Sequence, residues 1–508
     1  MIPTLDHQEL VESPGMAAPN RDPVNGTTSP STRPVPRLTV QQRLRFLLDH
    51  RSFHELWADR RSPNGVAGDG VITGVGQING ERVCVFAQNA AVCGGSIGQV
   101  HAEKIAHLVV KAAEWGIPII GLYDGGGARI QEGMGSLDRC GRLFKAIVDA
   151  SGKIPQVSVI LGACAGAAAY APALTDFTFM VQNQGMMYLT GPTIVEAVTG
   201  ESITGQELGG ADHASAAGVA DFVYPDEVSC LQEVRYLLSL LPRNQRRRPP
   251  SYSSDDSTDR PCPELLTIVP PQAAIPYNMH EVIAVILDLG SGLEVASNWA
   301  GSVLTYLGRL DGHTVGILAN QPTRRAGCLD IDSAQKSQRF VRRCDTFGIP
   351  LISLVDVPGF LPGTEQEHGG VIRHGAGMLA AYCSATIPRV QVILRKAYGG
   401  AYIVMDSLSV GSDVTLAWPT NEIAVMGAMG AVEILHRTDL SAADDREALA
   451  KTLQQNYSEK FLNPAIAAEM GIVHAVIDPS DTRRALIEAL EWTRDKRRDA
   501  PPGTQNWW

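Results

Sequence analysis

Two stretches of the chain, more than two hundred residues apart, follow one template, and both run into a glycine-rich turn. The first is Ile154-Pro155-Gln156-Val157-Ser158-Val159-Ile160-Leu161, followed by Cys164-Ala165-Gly166-Ala167-Ala168. The second is Ile387-Pro388-Arg389-Val390-Gln391-Val392-Ile393-Leu394, followed by Ala397-Tyr398-Gly399-Gly400-Ala401. Pro155 and Pro388 are 233 positions apart, and so are Gly166 and Gly399. Upstream, Gly116-Ile117-Pro118-Ile119-Ile120 ending at Asp124 recurs 232 positions on, as Gly348-Ile349-Pro350-Leu351-Ile352 ending at Asp356. A repeat of this kind marks a duplicated domain, so whatever the glycine turn does is present twice.

Length agrees with two units. A chain of 508 residues exceeds one hydrophobic core, and two domains of a little over two hundred residues suit the usual domain size. The net charge of −11 argues against a nucleic-acid surface, which needs a clustered basic excess. Nine cysteines are present without a CxxC pair, which argues against a zinc ribbon and a disulfide framework. No charged-then-apolar leader and no run of eighteen apolar residues occurs, so no membrane span is expected and the cytoplasm is the expected location.

Residues 1–36 are rich in Pro, Ser, Thr and Asn and read as a disordered tail. Arg37–Asp49 carries an apolar helical face, and Val71–Gly74 and Val83–Phe86 read as strands. A helix over His101–Trp115 leads to a strand over Ile117–Tyr123. Strand and helix then alternate, which predicts an α/β fold with crossover units. Residues 37–242 form the first domain, 243–263 a solvated linker containing Arg246-Arg247-Arg248-Pro249-Pro250, 264–497 the second domain, and 498–508 a tail.

A strand entering a glycine turn that opens a helix presents free backbone N–H groups at the positive end of a helix dipole. Glycine lets a ligand oxygen approach without meeting a Cβ. Two adjacent amides aimed at one point form an oxyanion hole. Neither turn matches GxxxxGK[ST] or a clean GxGxxG, which disfavours phosphate binding, while a plain tight corner stays open as an alternative.

The segments Gly126-Gly127-Ala128-Arg129-Ile130-Gln131-Glu132-Gly133, Pro172-Ala173-Leu174-Thr175-Asp176-Phe177 and Glu207-Leu208-Gly209-Gly210-Ala211 resemble the carboxyltransferase (β) subunits of biotin-dependent acyl-CoA carboxylases. So do Asn320-Gln321-Pro322, Leu329-Asp330-Ile331-Asp332, Val355-Asp356-Val357-Pro358-Gly359-Phe360, Arg373-His374-Gly375-Ala376 and Ala397-Tyr398-Gly399-Gly400-Ala401-Tyr402. The resemblance runs in order from about residue 37 to 485 and is strongest to propionyl-CoA and acetyl-CoA carboxylase β chains. It implies a duplicated crotonase-like fold of ββα spiral domains. The first turn then holds the thioester oxygen of an acyl-CoA through the N–H groups of Gly166 and Ala167. The second holds the ureido oxygen of carboxybiotin through Gly400 and Ala401. Carried over likewise, Gly126, Gly127, Ala128, Arg129, Ala165, Tyr170, Tyr402 and Ile403 surround the acyl-CoA, and Gly359, Phe360 and Gly399 the biotin. In the family, CO₂ released from carboxybiotin is attacked by the enolate left when biotin N1 removes the α-proton.

The resemblance also implies a ring-shaped hexamer with sites between unlike halves of two subunits. No biotinylation site of the Ala-Met-Lys-Met kind and no ATP-grasp segment occurs, so a partner carrying biotin carboxylase and biotin carboxyl carrier functions is expected. A decarboxylase subunit running the reaction in reverse, or a non-catalytic member of the family, remains as an alternative.

Other residues read as structural. Asp330-Ile331-Asp332 precedes a helix over Ser333–Arg343, where acids suit the dipole, and no metal is expected. His368 and His374 read as hydrogen-bonding residues, Cys164 as packing, and Asp124 and Asp356 as helix caps. Arg129 reads equally as a CoA-phosphate contact or a loop ion pair; Arg395-Lys396 serve CoA phosphates or the turn itself. This chain departs from the family pattern at Gly125, Ala167, Ala171 and Met429. It also departs at Ile403, where propionyl-specific enzymes carry aspartate. An apolar residue there favours a different or broader set of acyl chains.

Overall fold

The duplication is carried through the tertiary structure strand by strand. A computed structural model describes residues 37–462 and 464–496; the two expected tails, 1–36 and 498–508, lie outside the described residues. The first half contributes β1 (His54–Glu55), β2 (Val71–Ile78), β3 (Glu81–Gln88), β4 (Ile119–Gly125), β5 (Gln156–Ala165), β6 (Phe177–Val181), β7 (Met186–Tyr188) and β8 (Phe222–Tyr224). The second contributes β9 (Leu293–Glu294), β10 (Val303–Leu310), β11 (His313–Asn320), β12 (Leu351–Val357), β13 (Arg389–Tyr398), β14 (Val414–Ala417), β15 (Glu422–Ala424) and β16 (Ala475–Val476). The first sheet runs β1-β2-β3-β4-β5-β6-β8 with β7 on β5. The second runs β9-β10-β11-β12-β13-β14-β16 with β15 on β13.

In each sheet an antiparallel hairpin, β2–β3 or β10–β11, feeds parallel strands linked by helical crossovers. This is the expected ββα arrangement. Its parallel strands are covered on both faces, so β4 and β12 are buried at every position, and the near-continuous apolar runs Ile117–Tyr123 and Leu351–Val355 follow from that. The helix Gln99–Trp115 ends on Gly116, whose φ of 66° is the left-handed stop a glycine allows. Its counterpart Ile331–Thr346 starts on Asp330, which caps it by accepting the Ser333 N–H at 2.8 Å, at the helix start where the acids of this segment were expected.

The halves share a core. Phe177, Phe222 and Leu237 of the first belong to the same buried cluster as Trp299, Leu307 and Phe340 of the second. Arg343 reaches from the second half to Asp221, Nη1 to Oδ1 at 2.7 Å and Nη2 to Oδ2 at 3.1 Å, with its guanidinium over the Phe177 ring. Residues 243–263 hold no helix or strand and are largely exposed, yet they are tied down at several points. Asn244 Nδ2 donates to the Gly116 carbonyl, Tyr252 N–H to Gly312, and Arg260 to the Val285 carbonyl. The connection is laced to both halves by backbone acceptors that composition does not reveal.

Candidate functional site

The site is built at the carboxyl ends of β5 and β13. Each of these strands ends in a glycine with positive φ, 60° at Gly166 and 57° at Gly399, a conformation that L side chains avoid. The chain then turns directly into a short helix, Gly166–Ala169 continuing to Tyr170–Ala173 in the first half, and Gly399–Val404 in the second. The first N–H groups of such helices have no partner within the helix. Among the described residues, no turn, loop, cap or side-chain acceptor receives the N–H of Gly166, Ala167, Gly400 or Ala401. Gly400 is exposed and Ala401 buried; Ala167 is half-buried. Two sets of unpartnered backbone donors therefore lie where two equivalent strands pass into helices.

The repeat also sets the register of the pairs. At the 233-residue offset Gly166 matches Gly399, Ala167 matches Gly400 and Ala168 matches Ala401. The two expected donor pairs thus sit one residue apart in register. At the same offset Tyr170 matches Ile403, and both side chains are exposed, 51% and 42%. Tyr170 rests its ring against Phe144 with centroids 5.9 Å apart, and Tyr402 is half-buried.

A second loop meets each turn. In the first half Ile97 N–H donates to the Gly127 carbonyl and Arg129 N–H to the Ile97 carbonyl, so Ala128 bridges Ile97. In the second half Leu329 N–H donates to Gly359 and Leu361 N–H to Leu329, so Phe360 bridges Leu329. A Cβ on Gly127 would lie 2.9 Å from the Ala165 carbonyl oxygen and 3.6 Å from the Ala167 nitrogen, which places this loop directly against the first turn. Gly126 and Gly359 face open space. Gly125, noted as a departure, has a packing reason here: a Cβ would collide with the Gly95 carbonyl.

Several side chains do not hold the roles expected for them. Arg129 is 4% exposed, and its guanidinium is taken up by Asp69 Oδ1 at 2.5 Å, Glu132 Oε1 at 2.7 Å and the Ser96 carbonyl at 2.8 Å, so it is no CoA-phosphate contact. Asp124 and Asp356 cap no helix. Asp124 accepts from Arg37 at 2.7 Å and Arg43 at 2.8 Å, and Asp356 from Arg395 Nε at 3.0 Å, each buried at the end of its strand. Arg395 and Lys396 also donate to the Gln272 and Ala273 carbonyls, leaving them no role at a phosphate. Cys164 is packing, its thiol pushed up to about 12 by burial. His374 Nδ1 sits 3.1 Å from Gln335 Nε2, a structural contact.

Asp69, Gln88, His101 and Glu132 were not singled out by sequence reasoning, although all four support the first loop. Gly68-Asp69-Gly70 was the available signal, but nothing at the matching position of the second half repeats it. No group of three or more His, Cys, Asp or Glu residues suited to a metal occurs among the described residues. No helix among them is long and apolar enough to cross a membrane.

The two ββα sheets and their paired turns place the chain among duplicated crotonase-like α/β proteins. It belongs to the carboxyl transferase domain family, which matches residues 31–506. The chain is 50% identical over 474 residues to a propionyl-CoA carboxylase carboxyltransferase subunit from Haloferax mediterranei, covering 92% of each chain. It is 46% identical over 475 residues to a methylmalonyl-CoA decarboxylase subunit alpha from Veillonella parvula, again with 92% of each covered. Among solved structures it is similar to transcarboxylase 12S, a hexamer described with methylmalonyl-coenzyme A and methylmalonic acid bound. That similarity has a TM-score of 0.89 and 43% identity over 92% of each chain.

Proposed function

We propose that this chain is the carboxyltransferase subunit of a biotin-dependent acyl-CoA carboxylase, moving CO₂ to the α-carbon of a short acyl-CoA such as acetyl-CoA or propionyl-CoA. The observation that carries the reading is the pair of unpartnered amide sets at the ends of β5 and β13. The N–H groups of Gly166 and Ala167 take the thioester oxygen, which lowers the cost of forming the enolate beside it. The N–H groups of Gly400 and Ala401 take the ureido oxygen of biotin, and the open space at Gly359 and Gly400 fits the approach of that ring. Biotin, when bound, supplies the CO₂ and the nitrogen base for the α-proton. No side-chain nucleophile is asked of this chain, in keeping with the buried, high-pKa thiol of Cys164.

Biotin arrives on a partner with biotin carboxylase and carrier functions, and the chain works as a hexamer in the cytoplasm. Exposed apolar residues rim both turns, Tyr170, Leu189 and Ile194 at the first and Ile403, Val425 and Met429 at the second. They favour a site closed by a second subunit, with the first half of one chain facing the second half of another. Ile403 in place of an aspartate favours acceptance of more than one acyl chain. The 46% identity to a decarboxylase subunit supports the reverse direction as the second reading.

The test mixes purified protein with carboxylated biotin carrier and acyl-CoAs of increasing length, and follows transfer of labelled CO₂. Transfer to a short acyl-CoA is expected. Absence of transfer to every acyl-CoA, with no reverse reaction on free biotin, sinks both directions. A non-catalytic family member is then the surviving reading.

A further inference from the structure

Beneath the Gly126–Gly127 loop lies a buried ionic network centred on Arg129, whose place in the second half is taken by Leu361. Arg129 Nη1 donates to Asp69 Oδ1 at 2.5 Å and to Glu132 Oε1 at 2.7 Å. The other oxygens of these two acids hold the start of the helix Gln99–Trp115: Asp69 Oδ2 accepts the His101 N–H at 2.8 Å, and Glu132 Oε2 the Gln99 N–H at 2.6 Å. His101 is wholly buried, and burial pushes its pKa down to about 3, so the ring is neutral. Its Nδ1 then donates to the Asp69 carbonyl at 3.0 Å, and its Nε2 accepts from Gln88 at 3.2 Å. Gln88 Oε1 in turn accepts the Asp124 N–H at the end of β4, at 3.0 Å. Gly98 is required by this packing, since a Cβ there would collide with the Arg129 guanidinium.

The chain of contacts therefore runs from Arg129 to both ends of the loop that presses Gly127 against Ala165 and Ala167. In the second half the matching positions, 232 residues on, are Gly301 for Asp69, Ser333 for His101 and Leu361 for Arg129. There Asn320 takes the place of Gln88, accepting the Asp356 N–H and donating to the Gly327 carbonyl. Gln366 Oε1 accepts the Ile331 N–H at 3.0 Å, and Asp330, paired with Arg325, accepts the Ser333 N–H at 2.8 Å. The two loops have the same backbone bridges, but the first is anchored by its own Arg129, whose place Leu361 takes in the second.

We propose that Arg129 is a positioning residue for the acyl-CoA side of the reaction: through Asp69 and Glu132 it fixes the Gly126–Gly127 segment against the first turn, and so registers the Ala167 N–H on the thioester oxygen. This rests on the assignment of the first turn to the acyl-CoA. A guanidinium is suited to the role because its planar fork serves two carboxylates and a carbonyl at once.

The test compares wild type, Arg129→Met and Arg129→Lys in three measurements. The first is steady-state transfer of CO₂ to propionyl-CoA. The second is acyl-CoA-independent decarboxylation of carboxybiotin, which needs only the second turn. The third is amide hydrogen exchange over residues 126–134 and 358–366. For Arg129→Met, kcat for transfer is expected to fall by about a hundredfold, the loss seen when one oxyanion donor is displaced. KM for propionyl-CoA changes less than about threefold, because uniform binding is untouched. Decarboxylation stays within about twofold of wild type, and exchange rises in 126–134 alone. Arg129→Lys recovers about tenfold of the loss, keeping the charge but not the fork.

Equal losses in both reactions, in the lysine variant as in the methionine one, would mean general destabilisation and overturn the proposal. A raised KM with unchanged kcat would make Arg129 a binding contact and overturn it as well. Wild-type protein that decarboxylates carboxybiotin but carboxylates no acyl-CoA removes the parent assignment, and this role with it.

Discussion

Replacing each pivot glycine by alanine probes the two turns separately. At Gly166 and Gly399 an alanine must adopt φ near +60°, at a cost of about 1–2 kcal/mol. The surroundings differ. A Cβ at Gly166 first meets the Leu189 carbonyl oxygen at 3.8 Å, an ordinary contact, whereas at Gly399 it meets the Val425 carbonyl oxygen at 3.1 Å. That oxygen belongs to the backbone and cannot rotate away, so the second turn must itself move by a few tenths of an ångström. Gly166→Ala is therefore expected to cost about 1–2 kcal/mol with the donors near their places. Gly399→Ala is expected to cost about 2–3 kcal/mol and to shift Gly400 and Ala401, where displacing one donor is worth about 10²–10³ in rate. The assay pairs urea unfolding with carboxybiotin decarboxylation in the absence of acyl-CoA. Gly399→Ala should lose that reaction by about a hundredfold, and Gly166→Ala by about threefold or less. If Gly399→Ala decarboxylates at the wild-type rate, or Gly166→Ala is the more damaged of the two, the assignment of the second turn to biotin is wrong.

Three further outcomes are expected. Ile403→Asp should narrow acceptance toward propionyl-CoA in an acyl-CoA panel; an unchanged profile refutes a role for the 42%-exposed side chain at the acyl tail. Lys336, buried with Nζ donating to the Trp299 and Val303 carbonyls, has its pKa lowered by burial from 10.5 to about 8. Between those values the unfolded chain binds the extra proton, so stability rises with pH through that window, by up to about 3 kcal/mol. The wild-type gain over Lys336→Met should follow this rise in denaturant midpoints at pH 7.5 and 10.5, and parallel pH profiles would show that the ammonium is not desolvated. Arg343→Met removes the two-pronged contact to Asp221 and leaves that buried carboxylate with the Thr178 N–H and the more distant Arg339, at a cost of about 3–5 kcal/mol. Unfolding monitored at Trp299, which packs beside this junction, should move to lower denaturant; an unmoved transition means that the halves are held by apolar packing alone.

Much of the fold was legible in the chain because duplication, alternation and glycine placement are local signals. Pro155/Pro388 and Gly166/Gly399 marked equivalent strands and turns, and the structure aligns β5 with β13 at that offset. Helix and strand positions around Gln99–Trp115 and β2–β3 followed from periodicity. What escaped were contacts between residues distant in sequence. Asp124 read as a cap because it ends a strand before a glycine loop, yet it is claimed by Arg43 of the helix Val40–Leu47 and by Arg37 just ahead of it. Residues 243–263 read as a solvated linker from their polar composition; they are largely exposed, yet the Asn244 side chain and the Tyr252 N–H tie them to the Gly116 and Gly312 carbonyls.

The sequence by itself determined that two glycine turns of one kind exist and that each opens a helix, because the left-handed pivot and the strand before it are written in adjacent residues. Only the tertiary structure decided which loops press on those turns and what holds the loops. Arg129 is the clearest case: sequence left it equally a ligand for phosphate or a partner for carboxylates. The fold resolved it by bringing Asp69, sixty residues upstream, within 2.5 Å of a guanidinium sealed from water. An ion pair across that separation is set by chain packing, which local residue patterns do not encode.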